Sequence, residues 1–369
     1  MIEIDGSYEE GGGQILRTAL AFSMITGKAF KINNIRKNRE IPGLKNQHLY
    51  CINTLKEISN AQAEGDELGS ESLTFYPGKL IKGNYTIDIE TAGSITLLLQ
   101  SLLIPCMLSG KRISFNITGG TDVKWSIPID YFSELILPNI RRYCNIDMKM
   151  MKRGFYPKGG GNIEITFRPL YSVYNHDNFD LFHEHLLNEK KEIELIEQGK
   201  LISITGISFA TLDLEDAKVS ERQGKAAKLK LSSLNIPINI STQYYQSSST
   251  GSGIVLYATF SHDEEEIDIH NPIRVGGDNL GEKGIRAEQI GEKAAENLIQ
   301  EINTKAPVDE FLADNLIPFI ALFRGKIKTS RITKHSLANI YVIEKFLGNI
   351  FNIEKEKGII ENILSYQSC

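Results

Sequence analysis

The apolar positions along the chain follow one local pattern that returns three times. Each copy has an apolar helix, a glycine and a short alternating strand, and the copies read ALAFSMITGKAFKINNI, SLLIPCMLSGKRISFNI and PFIALFRGKIKTSRI. Their glycines are Gly27, Gly110 and Gly325. Glycine at such a place predicts a helix end with positive φ, and the lysine after it suits the negative end of the helix dipole. The three copies together predict an internal structural repeat.

Two amphipathic helices are predicted in each of the first two copies. Copy one supplies GGGQILRTALAFSMITG and GLKNQHLYCINTLKEIS, and copy two supplies AGSITLLLQSLLIPCML and IPIDYFSELILPNIRRYC. Apolar residues recur in all four at the spacing of one helix face. Because alternating strands lie between these helices, the predicted fold class is α+β.

The spacing of the repeat predicts an insertion. The first two glycines lie 83 residues apart, from 27 to 110, whereas the next interval, from 110 to 325, is 215 residues and so longer by 132. The acidic run 175–200 is interpreted as a linker into the insertion. The predicted division is a repeated body of residues 1–183 and 306–369 with an inserted small α+β domain of residues 184–305.

Within the insertion, the pattern predicts two helices and three strands. The strands are expected at 201–210, 237–242 and 254–261, and the helices at 215–234 and 285–305.

Composition changes this picture little. The chain has 369 residues, a net charge of −5 and a pI near 5.9, which argues against a broadly basic surface for long nucleic acid but allows a local basic pocket. The four cysteines lack metal-binding spacing and are predicted to be free thiols in a reducing compartment; they are Cys51, Cys106, Cys144 and Cys369. The most apolar run falls short of the about 20 residues that span a bilayer, so a cytoplasmic protein is expected.

The stretch DGSYEEGGGQILR runs from a short strand through a glycine loop into a helix. Backbone N–H groups at such a helix start can meet a phosphate, although the stretch matches neither the P-loop nor the dinucleotide-binding pattern. A tight turn is the alternative interpretation. Glu10 is a candidate metal ligand and Arg17 a candidate phosphate ligand; either can equally be a solvated surface charge.

Several other polar residues are candidates for chemistry. A basic loop, IRKNREIPGLKNQHL, is either a phosphate site or a solvated loop, and its polar residues are Arg36, Lys37, Arg39, Lys45, Gln47 and His48. His48 alone is interpreted as structural. Gln100 interrupts a run of leucines and needs a specific hydrogen-bond partner, either a ligand or neighbouring backbone. Asp314 lies on a predicted helix, and His335 stands where another begins, a place that favours neutral imidazole.

The motifs together resemble the RNA 3′-terminal phosphate cyclase family. Those that carry the resemblance are DGSYEEGGGQILR, IRKNREIPGLKNQHL, ELGSESLTFYPG, TAGSITLLLQ, GGTDVKWSIPIDY, RGFYPKGGG, FLADNL and HSLANIYVIEKF. They run along the whole repeated body, and the likeness weakens in the insertion. The resemblance implies three repeats, each a four-stranded sheet with two helices as in enolpyruvyl transferases, and an insertion of thioredoxin-like elements.

The resemblance also implies a reaction. A histidine attacks the α-phosphate of ATP and becomes adenylylated, AMP passes to an RNA 3′-phosphate, and the 2′-OH closes a 2′,3′-cyclic phosphate with release of AMP. The implied partners are ATP, a divalent metal (Mg or Mn) and RNA 3′-phosphate ends, with no membrane; a homodimer is allowed.

By motif, the implied nucleophile is His335, and Glu10 binds the metal. The implied ATP-binding residues are Glu10, Arg17, Gln100, Pro128, Phe311, Leu312, Ala313, Asp314 and Asn315. In this assignment Phe311 and Pro128 sandwich the adenine. The residues expected to hold phosphates of the RNA end or of ATP are Arg36, Arg39 and Gln47.

Three positions depart from the family pattern. Phe311 stands where tyrosine is frequent, Asn315 where glutamine is common, and Thr118 where a histidine is often found. Two alternative functions remain open at this point. One is a non-catalytic relative that acts in ribosomal RNA processing, against which His335 argues, and the other is an enolpyruvyl transferase, for which shared architecture is weak support.

Overall fold

The first four-stranded sheet lies at the start of the chain. The computed structural model describes residues 1–263 and 266–364, so Cys369 lies outside the described part. The first elements are β1 (Ile2–Asp5), α1 (Gly13–Thr26), β2 (Phe30–Asn33), α2 (Asn46–Ser59), β3 (Gln62–Glu64) and β4 (Leu73–Tyr76). The strand order is β1-β2-β4-β3, in which only the β1–β2 pair is parallel.

The second sheet has the same arrangement. Its elements are β5 (Gly83–Asp88), α3 (Ile95–Met107), β6 (Ile113–Gly119), α4 (Ile129–Tyr131), α5 (Leu137–Ile140), β7 (Cys144–Lys152) and β8 (Gly161–Pro169). The order is β5-β6-β8-β7, again with one parallel pair, β5 with β6. The continuous helix predicted here is interrupted by a π turn at Phe132–Ile136, which ends two residues before Pro138. The ring and the missing N–H of this proline oppose a regular helix.

A third sheet of a different order follows. The chain continues through α6 (Phe179–Asn188), β9 (Ile193–Leu195), β10 (Lys200–Thr211), α7 (Val219–Leu231), β11 (Ile238–Tyr245), β12 (Ser252–Ser261), β13 (Ile273–Leu280) and α8 (Ala287–Asn303). Strands β10 to β13 form a sheet of order β11-β10-β12-β13. The predicted helices and strands of this region are all present, and β13, which carries two glycines, was missed.

The fourth sheet repeats the order of the first two. The remaining elements are α9 (Glu310–Phe323), β14 (Gly325–Lys328), α10 (Lys334–Leu347), β15 (Phe351–Glu354) and β16 (Ile359–Asn362). The order is β9-β14-β16-β15, with β9 and β14 parallel. Three sheets thus share one order and one parallel pair, which supports the predicted repeat.

The acidic run 175–200 is not a linker, and that prediction is wrong. It contains α6 and β9, and β9 pairs with β14 of the fourth sheet. The alternating apolar residues Ile193 and Leu195 are buried there, which explains why the short strand forms despite its charged flanks. The pairing favours a start for the small domain near Lys200 instead of residue 184, and we propose that boundary; the division into two domains otherwise stays a prediction.

The repeated glycines all have positive φ, as predicted. Gly27 ends α1 with a φ of 70°, and its N–H donates to the carbonyl of Ser23. Gly110 has a φ of 65° and lies three residues after Met107, the last residue of α3. At the third copy Arg324 ends α9 with a φ of 65°, and Gly325, at 148°, opens β14. The glycines therefore mark the turns from helix to strand.

Apolar side chains from the four sheets and their helices form one continuous core. Within it, α1 contacts both α3 and α10, and α9 contacts α10. Cys51, Cys106 and Cys144 are buried free thiols, as predicted. In the described part of the chain, no helix has both the length and the apolar character needed to cross a membrane.

A buried charge cluster joins the second sheet to the third, which contains the strands of the predicted small domain. Arg153, which is fully buried between β7 and β8, pairs with Asp122 at 3.0 Å and with Asp130 at 2.5 Å. Its guanidinium carbon lies 3.7 Å from the ring centre of Phe209 on β10 and 4.8 Å from that of Tyr245 on β11. One side chain therefore contacts carboxylates of the body and aromatic rings of the small domain.

We predict that Arg153→Met lowers the free energy of unfolding by about 3–5 kcal/mol, because two buried carboxylates lose their cation. Chemical denaturation measures this loss. The control is Arg168→Met, which removes an exposed arginine paired with Asp147 and should cost about 0–1 kcal/mol. Equal losses in the two variants would contradict the special role of Arg153.

Candidate active site

His335 occupies the first turn of α10. The turn is capped by Thr333, whose hydroxyl accepts a hydrogen bond of 2.9 Å from the N–H of Ser336. The imidazole is about half exposed, and its Nε2 lies 2.8 Å from Oε1 of Glu10. Burial lowers the pKa of His335; Glu10 opposes this shift, and Arg17 and Arg39 reinforce it. The ring is therefore neutral at neutral pH, as a nucleophilic histidine requires.

Glu10 lies between the histidine and the basic loop. Its Oε2 pairs with Arg39 at 3.1 Å, while its Oε1 faces His335. The ring nitrogen is close to Oε1 but not aligned for a hydrogen bond, and within the described residues this buried oxygen accepts none. A buried anionic oxygen without a donor can coordinate a cation.

The glycines before α1 make room for this arrangement. A Cβ on Gly13 would lie 2.3 Å from Nε2 of His48 and 2.9 Å from a guanidinium nitrogen of Arg17. A Cβ on Gly12 would lie 3.5 Å from Arg39 and 3.6 Å from the ring of His335. The glycine loop thus lets the start of α1 approach four basic side chains closely, and a larger residue at Gly13 would prevent the approach to His48 and Arg17.

Arg17 is a buried cation held by side-chain amides. Its Nε donates to Oε1 of Gln100 and a terminal nitrogen donates to Oε1 of Gln14, both at 2.9 Å. No acidic side chain in residues 1–263 or 266–364 pairs with it. Burial lowers the pKa of Arg17 to about 10, so the side chain stays charged. A buried positive charge without a counterion favours an anionic ligand.

A polar network continues from α1 to the starts of α9 and α10. Gln14 donates to Asn339 at 2.9 Å, and Asn339 donates to the backbone carbonyl of Asp314 at 2.7 Å. The carboxylate of Asp314 accepts from the hydroxyls of Thr333 at 2.9 Å and Ser336 at 2.5 Å. Burial raises the pKa of Asp314 to about 7 despite these donors. The network holds Asp314 against the turn that carries His335.

The segment 311–315 begins α9 and presents two kinds of side chain. Phe311 is 47% exposed, and its ring meets Tyr131 edge to face at 6.3 Å. Asn315 accepts from Gln100 at 3.1 Å. Leu312 and Ala313 are fully buried in the core, because the helix turns their side chains away from the surface that Phe311 shares. Their assignment to the ATP site stays a prediction.

The position of Phe311 depends on the residue before α9. Asp309 caps that helix by accepting from the N–H groups of Phe311 at 3.0 Å and Leu312 at 2.9 Å. It also accepts from Tyr131 and from the N–H of Gly276 on β13. Pro128 is buried directly before α4, the helix that contains Tyr131. Tyr131 and Asp309 therefore connect the Pro128 and Phe311 segments.

The basic loop divides into residues near the site and residues with structural roles. Arg39 reaches Glu10, whereas Arg36 has a φ of 57° and donates to the carbonyl of Ile41 at 3.4 Å. The side chain of Gln47 forms two hydrogen bonds with the backbone of Ser94. It accepts from the Ser94 N–H at 2.7 Å and donates to the Ser94 carbonyl at 3.1 Å. Gln47 thus ties α2 to the start of α3, and its expected contact with a phosphate stays a prediction.

His48 is structural, as predicted. It is buried, its Nδ1 accepts from the N–H of Lys45 at 3.0 Å, and its pKa falls to about 3, mainly because of burial and then because of nearby Arg17. The imidazole is thus neutral beside that guanidinium.

Sequence reasoning missed Gln14, Thr18 and Asn339. All three are buried, and the Thr18 hydroxyl donates to Asn339 at 2.5 Å. A signal was available: Gln14, Arg17 and Thr18 place polar groups at i, i+3 and i+4, the spacing of one face of an otherwise apolar helix. Asn339 similarly lies one turn after His335.

The site can hold a metal ion only with help from a ligand. Among the described residues, no three histidine, cysteine or acidic side chains group together as metal ligands. Beside His335, Glu10 offers a buried carboxylate oxygen that accepts no hydrogen bond within the described residues. Mg²⁺ commonly combines one or two carboxylates with substrate phosphates and water, so this donor set fits a metal that arrives with a phosphate compound.

Comparison with known proteins supports an assignment to one family. The family model "RNA 3′-terminal phosphate cyclase" matches residues 8–353. A protein of that name from Pyrococcus furiosus is 45% identical over 349 residues, which cover 94% of each chain. The Archaeoglobus fulgidus protein of the same name is 41% identical over 364 residues, 98% of this chain and 100% of the relative. A third, from Saccharolobus solfataricus, is 44% identical over 352 residues, 94% of each.

The raised pKa of Asp314 predicts a pH effect on stability. Because its pKa is higher in the folded protein than the ordinary 3.8, its stabilising contribution is complete below about pH 4 and is lost as the pH rises through about 7. Asp314→Asn should remove this contribution while retaining the acceptor oxygen. When the pH rises from 5 to 8, the free energy of unfolding should fall further in the parent than in the variant. We expect the two decreases to differ by on the order of 2 kcal/mol.

Urea denaturation at the two pH values measures the difference. The control is Asp216→Asn, which changes an exposed carboxyl before α7 and should leave the pH dependence of the parent intact. Parallel pH profiles for Asp314→Asn and the parent would show that this carboxyl is already ionised in the folded protein.

Proposed function

The chain belongs to the RNA 3′-terminal phosphate cyclase family, and we propose that it uses ATP to convert an RNA 3′-terminal phosphate into a 2′,3′-cyclic phosphodiester. The observation that carries this proposal is the position of the His335 imidazole, whose Nε2 lies 2.8 Å from Glu10, and burial with nearby Arg17 and Arg39 lowers the pKa of that ring. Transfer of a nucleotidyl group requires a nucleophile and positive charge at the phosphate oxygens. The site offers an imidazole, a carboxylate oxygen that accepts no hydrogen bond among the described residues, and two guanidinium groups.

The chemistry needs activation of the phosphate. A phosphate monoester reacts poorly with a neighbouring hydroxyl, because the oxygen that would leave is a poor leaving group. Attachment of AMP to the 3′-phosphate replaces that oxygen with a good leaving group. The adjacent 2′-OH then attacks the activated phosphorus. The cyclic diester forms, the bond from this phosphorus to the oxygen of AMP breaks, and AMP departs.

His335 divides AMP transfer into two displacements. An unprotonated ring nitrogen attacks the α-phosphorus of ATP, a P–N bond forms, and the bond to the β-phosphate oxygen breaks with release of diphosphate. The RNA 3′-phosphate then displaces the histidine. The lowered pKa of His335 and its place at the start of α10 favour the neutral ring needed for the first step.

The basic residues have different roles in this scheme. Arg17 is the buried anchor for a phosphate of ATP, because Gln100 and Gln14 fix its guanidinium while no carboxylate neutralises it. Arg39 and Arg36 belong to the loop beside Glu10 and are assigned to phosphates of ATP or of the RNA end. Gln47 contributes by fixing that loop to α3.

The adenine is assigned to the exposed face of Phe311. Its aromatic ring supplies a stacking surface, and Pro128, in the segment next to Tyr131, is assigned to the opposite face of the base. Gln100 and Asn315 are also assigned to ATP, and their hydrogen bonds connect the segment of Phe311 with Arg17. Asp314 acts through the position of the His335 turn.

Glu10 is the residue assigned to a divalent metal, Mg or Mn. Such an ion supplies positive charge at the phosphate oxygens. Oε1 of Glu10 lies beside His335 and is the oxygen assigned to the ion.

The architecture assigned to this activity is a body of three repeats, as in enolpyruvyl transferases, with an inserted domain of thioredoxin-like elements between β9 and α9. Three equal sheet orders support the repeats. A cytoplasmic location and a homodimer stay predictions from the sequence. The contact between His335 and Glu10 favours the enzyme over a non-catalytic relative that acts in ribosomal RNA processing.

We predict that His335→Asn abolishes covalent attachment of AMP and cyclisation of ordinary 3′-phosphate RNA, because the nucleophile is lost. RNA supplied with AMP already on its 3′-phosphate should still cyclise, since that step needs only positioning of the 2′-OH. Labelled ATP and end-labelled RNA measure the two reactions. His270→Asn, at an exposed histidine of the small domain, is the control. Covalent AMP on the His335→Asn variant would assign the nucleophile to another residue.

We also predict that Glu10→Gln raises the concentration of Mg²⁺ or Mn²⁺ needed for half-maximal adenylylation by at least about tenfold, because the amide removes the anionic ligand. Titration of each metal at saturating ATP measures the shift. Glu9→Gln is the matched control, since the neighbouring carboxylate is exposed and forms no ion pair among the described residues. An unchanged metal requirement in Glu10→Gln would remove this residue from the metal site.

A further inference from the structure

A basic cleft outside the site lies between the end of α8, the loop before α10 and the β15–β16 turn. Its volume is about 430 Å³, and its lining includes Lys328, Arg331, Lys355 and Lys357 together with Ser330 and Gly358. Four cations around one cleft contrast with the net charge of −5 of the whole chain. Such a local concentration of positive charge favours an anionic ligand.

Not all of this charge is available. Arg331 pairs with Glu310 at 2.8 Å, Lys357 pairs with Glu354 at 2.7 Å, and Glu356 also lines the cleft. Lys328 and Lys355 form no ion pair with any acidic side chain in the described part of the chain. These two lysines therefore carry the uncompensated charge of the cleft.

The cleft is connected to His335 through the loop that positions it. Arg331 and Leu337 line the cleft, and His335 lies between them in sequence. Leu337 follows His335 by two residues, so the two side chains point to nearly opposite sides of the first turn of α10. The cleft and the imidazole are therefore separated by about one helix diameter, roughly 10 Å.

Positive charge continues across this separation. Arg331 and Lys334 are exposed at the start of α10, whose N–H groups add the positive end of the helix dipole. A flexible chain of phosphates whose end lies at His335 can cross this helix start and reach the cleft. A nucleotide already seated between Phe311 and Arg17 has no such length.

We propose that the cleft binds the phosphodiester backbone of the RNA strand a few nucleotides before its 3′-phosphate. This inference rests on the proposed function, because that function places an RNA end at His335. The residues that line the cleft include no aromatic side chain on which a base could stack. Recognition there is consequently electrostatic and independent of base sequence.

The test is the double variant Lys328→Gln/Lys355→Gln. Its control is Lys225→Gln/Lys228→Gln, which removes the same charge from the exposed side of α7. Fluorescence anisotropy with labelled RNA of about ten nucleotides, with or without a 3′-phosphate, measures binding directly. We expect about tenfold weaker binding for the cleft variant, and a plot of log affinity against log salt concentration whose slope is shallower by about 1.4.

Two further arms identify the ligand. Covalent AMP formation from ATP should remain unchanged in the cleft variant, since this step requires no RNA. Binding of a dinucleotide 3′-phosphate should also remain unchanged, because it is too short to cross α10. Weaker AMP formation would instead assign the cleft to ATP, and weaker dinucleotide binding would assign it to the terminal phosphate.

Unchanged affinity and salt dependence for the longer RNA would overturn the proposal. Equal losses in the α7 control would also overturn it, because they would reflect net charge alone. These binding measurements do not require cyclisation. A parent protein that binds RNA through the cleft but forms no cyclic end would contradict the proposed function and retain the cleft as an RNA site.

Discussion

The buried charge of Arg17 is the constraint on which the site depends. A guanidinium removed from water needs replacement hydrogen bonds, and Gln14 and Gln100 supply them from α1 and α3. Gln100 in turn donates to Asn315 on α9, and Gln14 donates to Asn339 on α10. Satisfying one cation thus fixes four helices relative to one another, and it leaves a positive charge facing the starts of α1 and α10.

Close approach of backbone to side chains explains the glycines before α1. At Gly13 a Cβ would overlap His48, so glycine is required there because no side chain fits, and not because of the backbone conformation. The same closeness keeps Glu10 within reach of both Arg39 and His335. The loop that is proposed as a phosphate site therefore also allows tight packing, because small residues satisfy both demands.

The segment proposed as the small domain lies next to α9 in the sequence, and α9 carries residues of the candidate site. It follows β9 and ends just before α9, the helix that presents Phe311. Asp309 accepts from Gly276 of the small domain and from the first N–H groups of α9, while Arg153 joins carboxylates of the body to rings on β10 and β11. The cap of α9 is therefore hydrogen-bonded to β13, which ties the position of Phe311 to that of the third sheet.

The sequence by itself determined the features that depend on neighbouring residues. Apolar spacing located α1, α2 and α3, the helix-to-strand turns were marked by glycines such as Gly27, and the helix start at His335 followed from its local pattern. Only the tertiary structure decided which side chains meet. It turned Leu312 into the core, bound Gln47 to Ser94, and paired β9 with a strand that follows it by about 130 residues. Local periodicity encodes which face of an element is buried, whereas a partner distant in sequence is selected by packing and by hydrogen bonds that no short stretch contains.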